Sequence, residues 1–307
     1  MTKTNTYKLY GLSVQTKLLL PAAKTHEKAN IEISSAPIPL SLSNVISSNR
    51  NLQFNGEQAL INQPLFGSLL IEKQRKISYN FYPDLTESHA ITAILGSGLG
   101  TLLHLNGQIP LHGLALATPK GAIILLADSG TGKSTLATAL IQAKQTVYTD
   151  DIVALHYNHN NQLCVHPAHK RFKLSHAELV AMGQNINALS TTAPGVNKLG
   201  WDIPDERFAK QAQPIIKCIY ISSERVQGSK ANITKISRID SFKQLHRFTY
   251  RRHLVKLFAQ QQTFFKLNHV LQHQCDSYNM LLPELSRFTS TKEYGEAITT
   301  QLASLLI

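Results

Sequence analysis

A short segment of the sequence, residues 127–135, combines two glycines, a lysine and a serine at a spacing that suits phosphate binding. It reads Ala127-Asp-Ser-Gly-Thr-Gly-Lys-Ser-Thr135 and matches the pattern G-x-x-x-x-G-K-[ST] except at its first position, where alanine replaces glycine. Glycines let the backbone turn so that successive N–H groups point at phosphate oxygens, and a following helix adds the positive end of its dipole. This glycine loop therefore predicts a site for the phosphates of a nucleoside triphosphate.

The side chains of the glycine loop have distinct expected roles. Lys133 is expected to neutralise the β and γ phosphates of ATP, and Ser134 to offer its hydroxyl to magnesium. The alternative is a glycine turn before a helix that happens to carry a lysine, but the apolar run 122–127 immediately upstream has the composition of a buried strand and favours phosphate binding. The predicted nucleotide-binding residues are Asp128, Ser129, Gly130, Thr131, Gly132, Lys133, Ser134 and Thr135.

Two adjacent carboxylates, Asp150 and Asp151, follow a short strand predicted over residues 146–149. If that strand is a parallel neighbour of the strand before the glycine loop, it delivers both carboxylates beside the γ phosphate. One then holds the metal and the other accepts a proton from an attacking hydroxyl, a group that a kinase needs and a simple nucleotide binder does not. Taken alone, the pair reads better as a solvated strand end or a helix cap. Beside the glycine loop, the catalytic interpretation is preferred.

Three short motifs together resemble the C-terminal catalytic domain of HPr kinase/phosphorylase and related bacterial peptide and protein serine kinases, including those of lasso-peptide gene clusters. They are Leu111-His-Gly113, Asp128-Ser-Gly-Thr-Gly-Lys-Ser134 and Thr149-Asp-Asp151, in the family's order and at its usual spacing. The resemblance implies that His112 lies by the transferred phosphoryl group, that Asp150 is the catalytic base, and that Asp151 helps to hold magnesium. It does not extend to the glycine-rich signature that follows the aspartates in true HPr kinase/phosphorylases.

The order of predicted elements indicates an α/β fold. Strand, polar loop, helix and strand follow one another from residue 122 to 149, and residues 88–105 predict a helix. Residues 8–18 read as one strand punctuated by Gly11, and the segment up to residue 87 has short alternating apolar pieces. We therefore expect a small β-rich N-terminal domain over residues 1–87. Residues 88–307 are expected to form a P-loop kinase domain with a mixed sheet, of the phosphoenolpyruvate-carboxykinase-like type by resemblance.

Composition and charge limit the partners. The formal charge of +12 favours an anionic partner, and the lack of zinc-finger spacing, RNA-binding aromatic signature or basic tail argues against nucleic acid. The longest apolar-rich stretch, residues 90–103, is too short for a membrane span, and the polar N-terminus lacks a secretory signal. We expect a cytoplasmic homo-oligomer without membrane contact. Its separated cysteines, Cys164, Cys218 and Cys275, are expected to be reduced.

Two further groups of residues carry weaker signals. One is a dense set that suggests a metal site, although a hairpin alternates its side chains between faces and favours scattering them: His156, His159, Cys164, His166 and His169. The other is a basic helix from Ser241 onward, which either steers an acidic peptide or presents a solvated face. Arg171 or Lys198 is a candidate for an additional phosphate contact.

The sequence thus predicts a kinase that uses ATP and magnesium to phosphorylate a serine hydroxyl of a peptide or protein. Its predicted catalytic residues are Lys133, Asp150 and His112, and its predicted magnesium ligands are Ser134 and Asp151. Two rivals stay open, a kinase of a small-molecule hydroxyl and a nucleotide-binding sensor or assembly module without transfer. The kinase prediction requires that the glycine loop and the acidic pair converge on one triphosphate.

Overall fold

A nine-stranded mixed sheet forms the first part of the structure, a computed structural model that describes residues 4–306. Its strands are β1 (Asn5–Leu9), β2 (Leu12–Thr16), β3 (Ala23–Lys24), β4 (Ile31–Ser35), β5 (Ser47–Asn49), β6 (Leu52–Phe54), β7 (Gln58–Gln63), β8 (Gly67–Glu72) and β9 (Lys76–Phe81). Their order is β3-β1-β2-β4-β9-β8-β7-β6-β5, and β4 is parallel to both of its neighbours. Strands thus fill the region for which the sequence predicted a β-rich domain. The boundary at residue 87 stays a prediction.

The first two strands form a hairpin where the sequence predicted one strand over residues 8–18. Tyr10 and Gly11 make the turn, and both have positive φ angles, 54° and 78°. Two-residue hairpin turns favour this conformation because its twist matches that of the flanking strands. The N–H of Tyr10 donates to the carbonyl of Pro167 at 2.7 Å. The single-strand prediction was wrong because Gly11 reverses the chain instead of punctuating it, and the reversal brings the hairpin tip to the second half of the molecule.

A second nine-stranded sheet carries the glycine loop. Its strands are β10 (Leu111–Thr118), β11 (Gly121–Ala127), β12 (Thr146–Thr149), β13 (Ile152–Val153), β14 (Leu155–Tyr157), β15 (Leu163–Val165), β18 (Gln213–Val226), β19 (Asn232–Lys235) and β20 (Asp276–Pro283). The main order is β12-β10-β11-β18-β15-β14, with β13 paired to β10 and β20 paired to β18 and β19. β16 (Arg171–Leu174) and β17 (Leu199–Asp202) form a separate antiparallel ribbon.

Eight α-helices accompany the sheets within residues 4–306. They are α1 (Glu87–Ala93), α2 (Leu99–Leu105), α3 (Lys133–Gln142), α4 (His176–Ala181), α5 (Arg238–Arg247), α6 (His253–Leu257), α7 (Gln261–Gln274) and α8 (Thr291–Ser304). A π-helical turn, Ile94–Gly98, joins α1 to α2, so the helix predicted over residues 88–105 is present with one local widening. Short 3-10 turns lie at Ile186–Ala188, Asp205–Arg207 and Leu285–Arg287.

The side chains of β11 point alternately to the two faces of the second sheet, and different helices cover each face. Ile123 and Leu125 belong to an apolar core shared with α3 and α8, whereas Ile124 and Leu126 belong to a core shared with α5, α6 and α7. All of β11 is buried, as expected of a central strand covered on both faces. A third core joins the first sheet to residues 91–105. The mixed α/β class with mixed sheets, predicted from the sequence, is confirmed.

Among residues 4–306, no helix combines the length and apolarity that crossing a membrane requires. The three cysteines are free thiols, with Cys164 and Cys218 buried and Cys275 half-buried.

The strand before the acidic pair is not adjacent to the strand before the glycine loop. β12 pairs with β10, which lies between β12 and β11. The prediction of a parallel neighbour was therefore wrong, because the hairpin partner of β11 takes that position. Both pairings are antiparallel, so β12 still runs in the direction of β11 and ends at the same edge of the sheet. Gly113 allows the close approach of β10, since a Cβ there would lie 2.5 Å from a methyl carbon of Leu126.

Helix α3, which follows the glycine loop, packs closely against α8 at Gly295. A Cβ at Gly295 would lie 2.0 Å from the carbonyl oxygen of Ala139. We expect Gly295→Ala to lower the free energy of unfolding by about 2 kcal/mol or more, because this clash with backbone outweighs the better helix propensity of alanine. Urea denaturation measures the change. Gly228→Ala is the matched control, since a Cβ there has no neighbour closer than 3.9 Å; similar losses in both variants would contradict the prediction.

Candidate functional site

The glycine loop joins β11 to α3 through two left-handed glycines. Gly130 and Gly132 both have φ of +85°, a conformation strained for residues with a Cβ, and Gly132 directly precedes α3. The hydroxyl of Thr131 donates to the carbonyl of Asp128 at 2.8 Å, and Arg225 donates to the carbonyl of Thr131 at 2.6 Å. These bonds hold the turn. Helix geometry leaves the first N–H groups of α3 without acceptors inside the helix, so they are available to a ligand.

A chain of polar contacts leads from the glycine loop to the acidic pair. Lys133 is only 8% exposed, and its Nζ lies 2.8 Å from Nε2 of His112. Nδ1 of His112 lies 3.2 Å from Oδ1 of Asp151. An ammonium group has only donors, so Nε2 accepts from Lys133 and the proton of a neutral ring sits on Nδ1. Burial lowers the pKa of Lys133, and Asp151 and Asp150 oppose this effect.

Backbone hydrogen bonds fix His112 and Asp151 in place. The N–H of His112 donates to the carbonyl of Phe248 at 2.7 Å, and the N–H of Gly113 donates to the carbonyl of Asp151 at 3.0 Å. β13, which follows the acidic pair, pairs with β10 so that Ile152 lies opposite His112. The acidic pair is therefore held against the strand that carries the histidine.

The two carboxylates have different surroundings. Lys173 donates to Oδ2 of Asp151 at 2.7 Å. Burial raises the pKa of Asp151, but Lys173 and His112 outweigh burial and hold this pKa well below its usual range. Asp150 is 7% exposed, and its carboxylate has no hydrogen-bond partner within residues 4–306. Burial and the charge of Asp151 raise the pKa of Asp150 to about 7. Two carboxylates whose pKa values are shifted in opposite directions are typical of sites where one stays ionised and the other exchanges a proton.

These groups lie around one cavity of about 320 Å³. Its lining residues are His112, Asp128, Ser129, Gly130, Gly132, Lys133, Ser134, Thr135, Asp150, Asp151, Lys173, Glu178 and Lys198. The cavity brings together every residue of the predicted site except Thr131, whose side chain is buried. The glycine loop and the acidic pair thus face the same space, as the kinase prediction requires. The roles of the individual residues stay predictions.

Lys173 and Glu178 line the cavity but were not predicted from the sequence. Lys173 lies on β16, and the carboxylate of Asp151 raises its pKa. Glu178 forms a capping box with Ser175, and its Oε1 accepts from the hydroxyl of Thr135 at 3.0 Å. A lysine in an alternating strand is typical of a solvated face, and a glutamate three residues after a serine is typical of a helix cap. Neither pattern gave a separate signal for a site.

The two basic residues considered for an additional phosphate contact lie in different places. Lys198 is exposed, precedes β17 and lines the cavity. Arg171 instead donates two hydrogen bonds to Asp202, at 2.8 and 3.1 Å, outside the cavity lining. Lys198 is therefore the candidate that the geometry favours.

The residues considered as a second metal site do not converge on one point. The rings of His156 and His166 lie 4.4 Å apart, and Gln108 contacts His156 at 3.0 Å. His169 instead packs edge-on against Tyr10. In the described part of the chain, no group of three or more His, Cys, Asp or Glu is arranged to hold a metal ion. The hairpin places His156 opposite Cys164, but His159 lies in the turn between β14 and β15 and His169 lies beyond β15.

A second cavity, about 360 Å³, adjoins the first and is called the basic pocket here. It shares His112, Asp128 and Ser129 with the first cavity, and its other lining residues are Ala127, Arg247, Phe248, Thr249, Tyr250, Arg251, Arg252 and His253. Nε of Arg247 donates to Oδ1 of Asp128 at 3.1 Å, and its Nη2 contacts the other carboxylate oxygen. This ion pair ties the end of α5 to the glycine loop. Residues 247–253, which begin at the last residue of α5, are called the basic segment here.

We expect the ion pair of Lys173 with Asp151 to stabilise the fold, because both side chains are largely buried, at 33% and 15% exposed. Lys173→Met keeps the length of the side chain and leaves a buried carboxylate without its ammonium partner. The free energy of unfolding should fall by about 2 kcal/mol, measured by urea denaturation.

The double variant Lys173→Met with Asp151→Asn tests the cause of this loss. It should recover part of the stability, because the carboxylate that lost its ammonium partner is removed as well. Lys243→Met is the matched control, since Lys243 is exposed and contacts Asp240 at 3.7 Å on the surface. A Lys173→Met protein as stable as the control would show that the pair contributes nothing.

Comparisons with known proteins give no family for this chain. No family model matches the sequence, and no curated protein matches it. The chain is similar to a solved structure of the Hpr(Ser) kinase/phosphatase from Coxiella burnetii, with 11% sequence identity and a TM-score of 0.33, over 64% of this chain and 99% of that one. A likeness of this degree carries no argument about family or function, so the site is interpreted from its own geometry.

Proposed function

We propose that this protein transfers the γ-phosphoryl group of ATP to a serine hydroxyl of a peptide or protein. One observation carries the proposal: the glycine loop and the acidic pair face one cavity and are linked by the contacts of His112 with Lys133 and Asp151. A module that only binds nucleotide has no need of a second carboxylate facing the same cavity without a partner. Asp150 is such a carboxylate, which supports a transferase over a sensor.

The triphosphate is proposed to lie against the glycine loop and the start of α3. Backbone N–H groups and the helix dipole favour negative charge there, and Lys133 adds an ammonium group at the cavity wall. Lys198 is exposed, lines the same cavity and adds a further positive charge from the residue before β17. These groups neutralise the β and γ phosphates.

In the proposed reaction, the serine oxygen forms a bond to the γ phosphorus while the bond from that phosphorus to the β–γ bridging oxygen breaks. The electron pair of the broken bond leaves with ADP, and the proton of the serine hydroxyl passes to Asp150. Positioning and electrostatics supply nearly all of the catalysis in phosphoryl transfer. Asp150 is suited to the proton transfer because its carboxylate faces the cavity. No other side chain within residues 4–306 donates a hydrogen bond to that carboxylate. His112 orients Lys133 toward the transferred group.

The oxygens of Ser134 and Asp151 suit magnesium, which is usually held by one or two carboxylates together with substrate phosphates. Both residues line the cavity. When bound there, the cation supplies positive charge to the β and γ phosphates. Lys173 and His112 keep Asp151 ionised and fix its orientation, so this carboxylate is prepared to act as a ligand.

We expect Asp150→Asn and Lys133→Ala to separate binding from transfer. With γ-labelled ATP, magnesium and an extract containing the acceptor, Asp150→Asn should lose about a hundredfold or more of the labelling rate but keep its affinity for ATP. Lys133→Ala should lose labelling and also bind ATP more weakly, because it removes a charge that contacts phosphate. Mass spectrometry of the labelled product identifies the modified residue, and a phosphoserine is the expected result.

Lys292→Ala is the matched control for both variants, since Lys292 lies exposed on α8 and contacts Glu296. It should label the acceptor at the wild-type rate. ATP binding without any acceptor-dependent labelling would favour a nucleotide sensor, and labelling of a small molecule alone would favour the small-molecule kinase. Near-normal turnover of a proven substrate by Lys133→Ala would contradict the proposed mechanism.

A further inference from the structure

We propose that the basic pocket is the acceptor site and that it selects a peptide segment carrying an acidic residue next to the serine. This inference rests on the proposed transfer reaction and adds the class of acceptor to it. The pocket adjoins the nucleotide cavity and shares His112, Asp128 and Ser129 with it. A hydroxyl that enters through the basic pocket therefore reaches His112, which lines both cavities.

The charges of the basic pocket are not balanced by its own residues. Its lining contains Arg247, Arg251 and Arg252 against one carboxylate, Asp128. Arg247 already pairs with that carboxylate. Neither Arg251 nor Arg252 has a carboxylate partner among the described residues, so two of the three arginines that line the pocket have no ion pair. An anionic ligand would complete the ion pairs that the protein leaves open.

The two unpaired arginines differ in how firmly they are held. Arg251 donates to the hydroxyl of Ser97 at 2.7 Å and to the hydroxyl of Tyr250 at 3.3 Å, and its positive φ of 47° fixes the backbone bend before α6. Arg252 is exposed and its guanidinium has no partner within residues 4–306. Arg251 therefore gives the pocket a fixed charge, whereas Arg252 is free to close on a ligand.

The position of His112 explains why the anionic group must be a neighbour of the serine. The imidazole of His112 contacts Lys133 in the nucleotide cavity, and its ring lies 6.3 Å from the ring of Tyr250 in the basic pocket. A serine placed at His112 therefore has the residues beside it against Tyr250 and the arginines. Consecutive residues of an extended chain are about 3.5 Å apart, so an aspartate or glutamate within two positions reaches the basic segment.

Exposure of the basic segment favours a peptide over a small anion as the occupant. Arg252 and His253 are both exposed at the surface. A pocket with an open side of this kind accepts a chain that continues past the serine in both directions. The formal charge of +12 draws acidic segments toward the protein at low salt.

The test uses the full chain with three sets of synthetic serine peptides of equal length, flanked by Asp/Glu, by Asn/Gln or by Lys/Arg. Transfer is measured with γ-labelled ATP and magnesium. Binding is measured separately by fluorescence anisotropy with an acidic peptide in which alanine replaces serine, so that affinity is detected without any transfer. We expect preferential labelling of the acidic set and binding of the alanine peptide that weakens as salt is added.

Arg252→Glu is the diagnostic variant, because its exposed side chain can change without disturbing the core. We expect its kcat/KM for the acidic peptides to fall about tenfold or more, through KM, and its preference to shift toward the basic set. Arg75→Glu makes the same charge change in the turn between β8 and β9, where the Arg75 side chain is 79% exposed, and should leave peptide preference as in the wild type.

The outcomes separate this inference from the proposed function. Equal labelling of acidic and neutral peptides, or an Arg252→Glu protein with unchanged peptide preference, would overturn the acceptor site while leaving the kinase intact. The acceptor site would also be overturned if Arg252→Glu changed the KM for ATP more than the KM for peptide. Such a result would show that Arg252 contacts the nucleotide. In another outcome, the wild-type protein binds the alanine peptide, Arg252→Glu does not, and no peptide set is labelled. This result would support the acidic docking site and contradict transfer. If no peptide is bound or labelled and a small hydroxy acid is labelled, the peptide acceptor is excluded.

Discussion

The imidazole of His112 connects Lys133 to the acidic pair through polar contacts, and this indirect link determines how charge is distributed in the cavity. The ammonium group of Lys133 donates to the ring of His112, and that ring donates to Asp151. Lys173 donates to the same carboxylate. Each polar atom in this series has a partner of the right kind, which offsets the cost of burying charge. Asp150 stands outside the series. In the proposed reaction it is the group that accepts the proton, because its carboxylate lines the cavity and has no hydrogen-bond partner within residues 4–306.

This arrangement depends on the order of strands in the second sheet. β10 lies between β11 and β12, so the histidine on β10 is placed between the glycine loop after β11 and the acidic pair after β12. Had β12 been the direct neighbour of β11, the lysine and the carboxylates would lie side by side without the ring. Gly113, next to the histidine, allows β10 to approach β11 closely enough for this geometry. The intervening strand thus separates the two charges and connects them through one side chain.

The parts of the site that depend on local spacing could be predicted from the sequence, and the parts that depend on distant pairing could not. The turn at Gly130 and Gly132, the start of α3 and the strand before Asp150 follow from residues a few positions apart, and the structure has each of them. Lys173 is different, because its partnership with Asp151 requires the β16–β17 ribbon to fold over the cavity, and no local pattern encodes that. The ion pair of Arg247 with Asp128 spans 119 positions and has no signature in either segment.

The same ion pair suggests why a carboxylate is tolerated in a loop that is proposed to bind phosphates. Asp128 lines both cavities, and an unpaired charge there would repel a triphosphate on one side and an acidic acceptor on the other. Because Asp128 and Arg247 are 40% and 55% exposed, their contact adds little to stability. Its larger effect is to cancel the negative charge at the wall that the two cavities share. The segment that forms the basic pocket therefore also completes the electrostatics of the glycine loop, and the proposed nucleotide and acceptor sites share one pair of side chains.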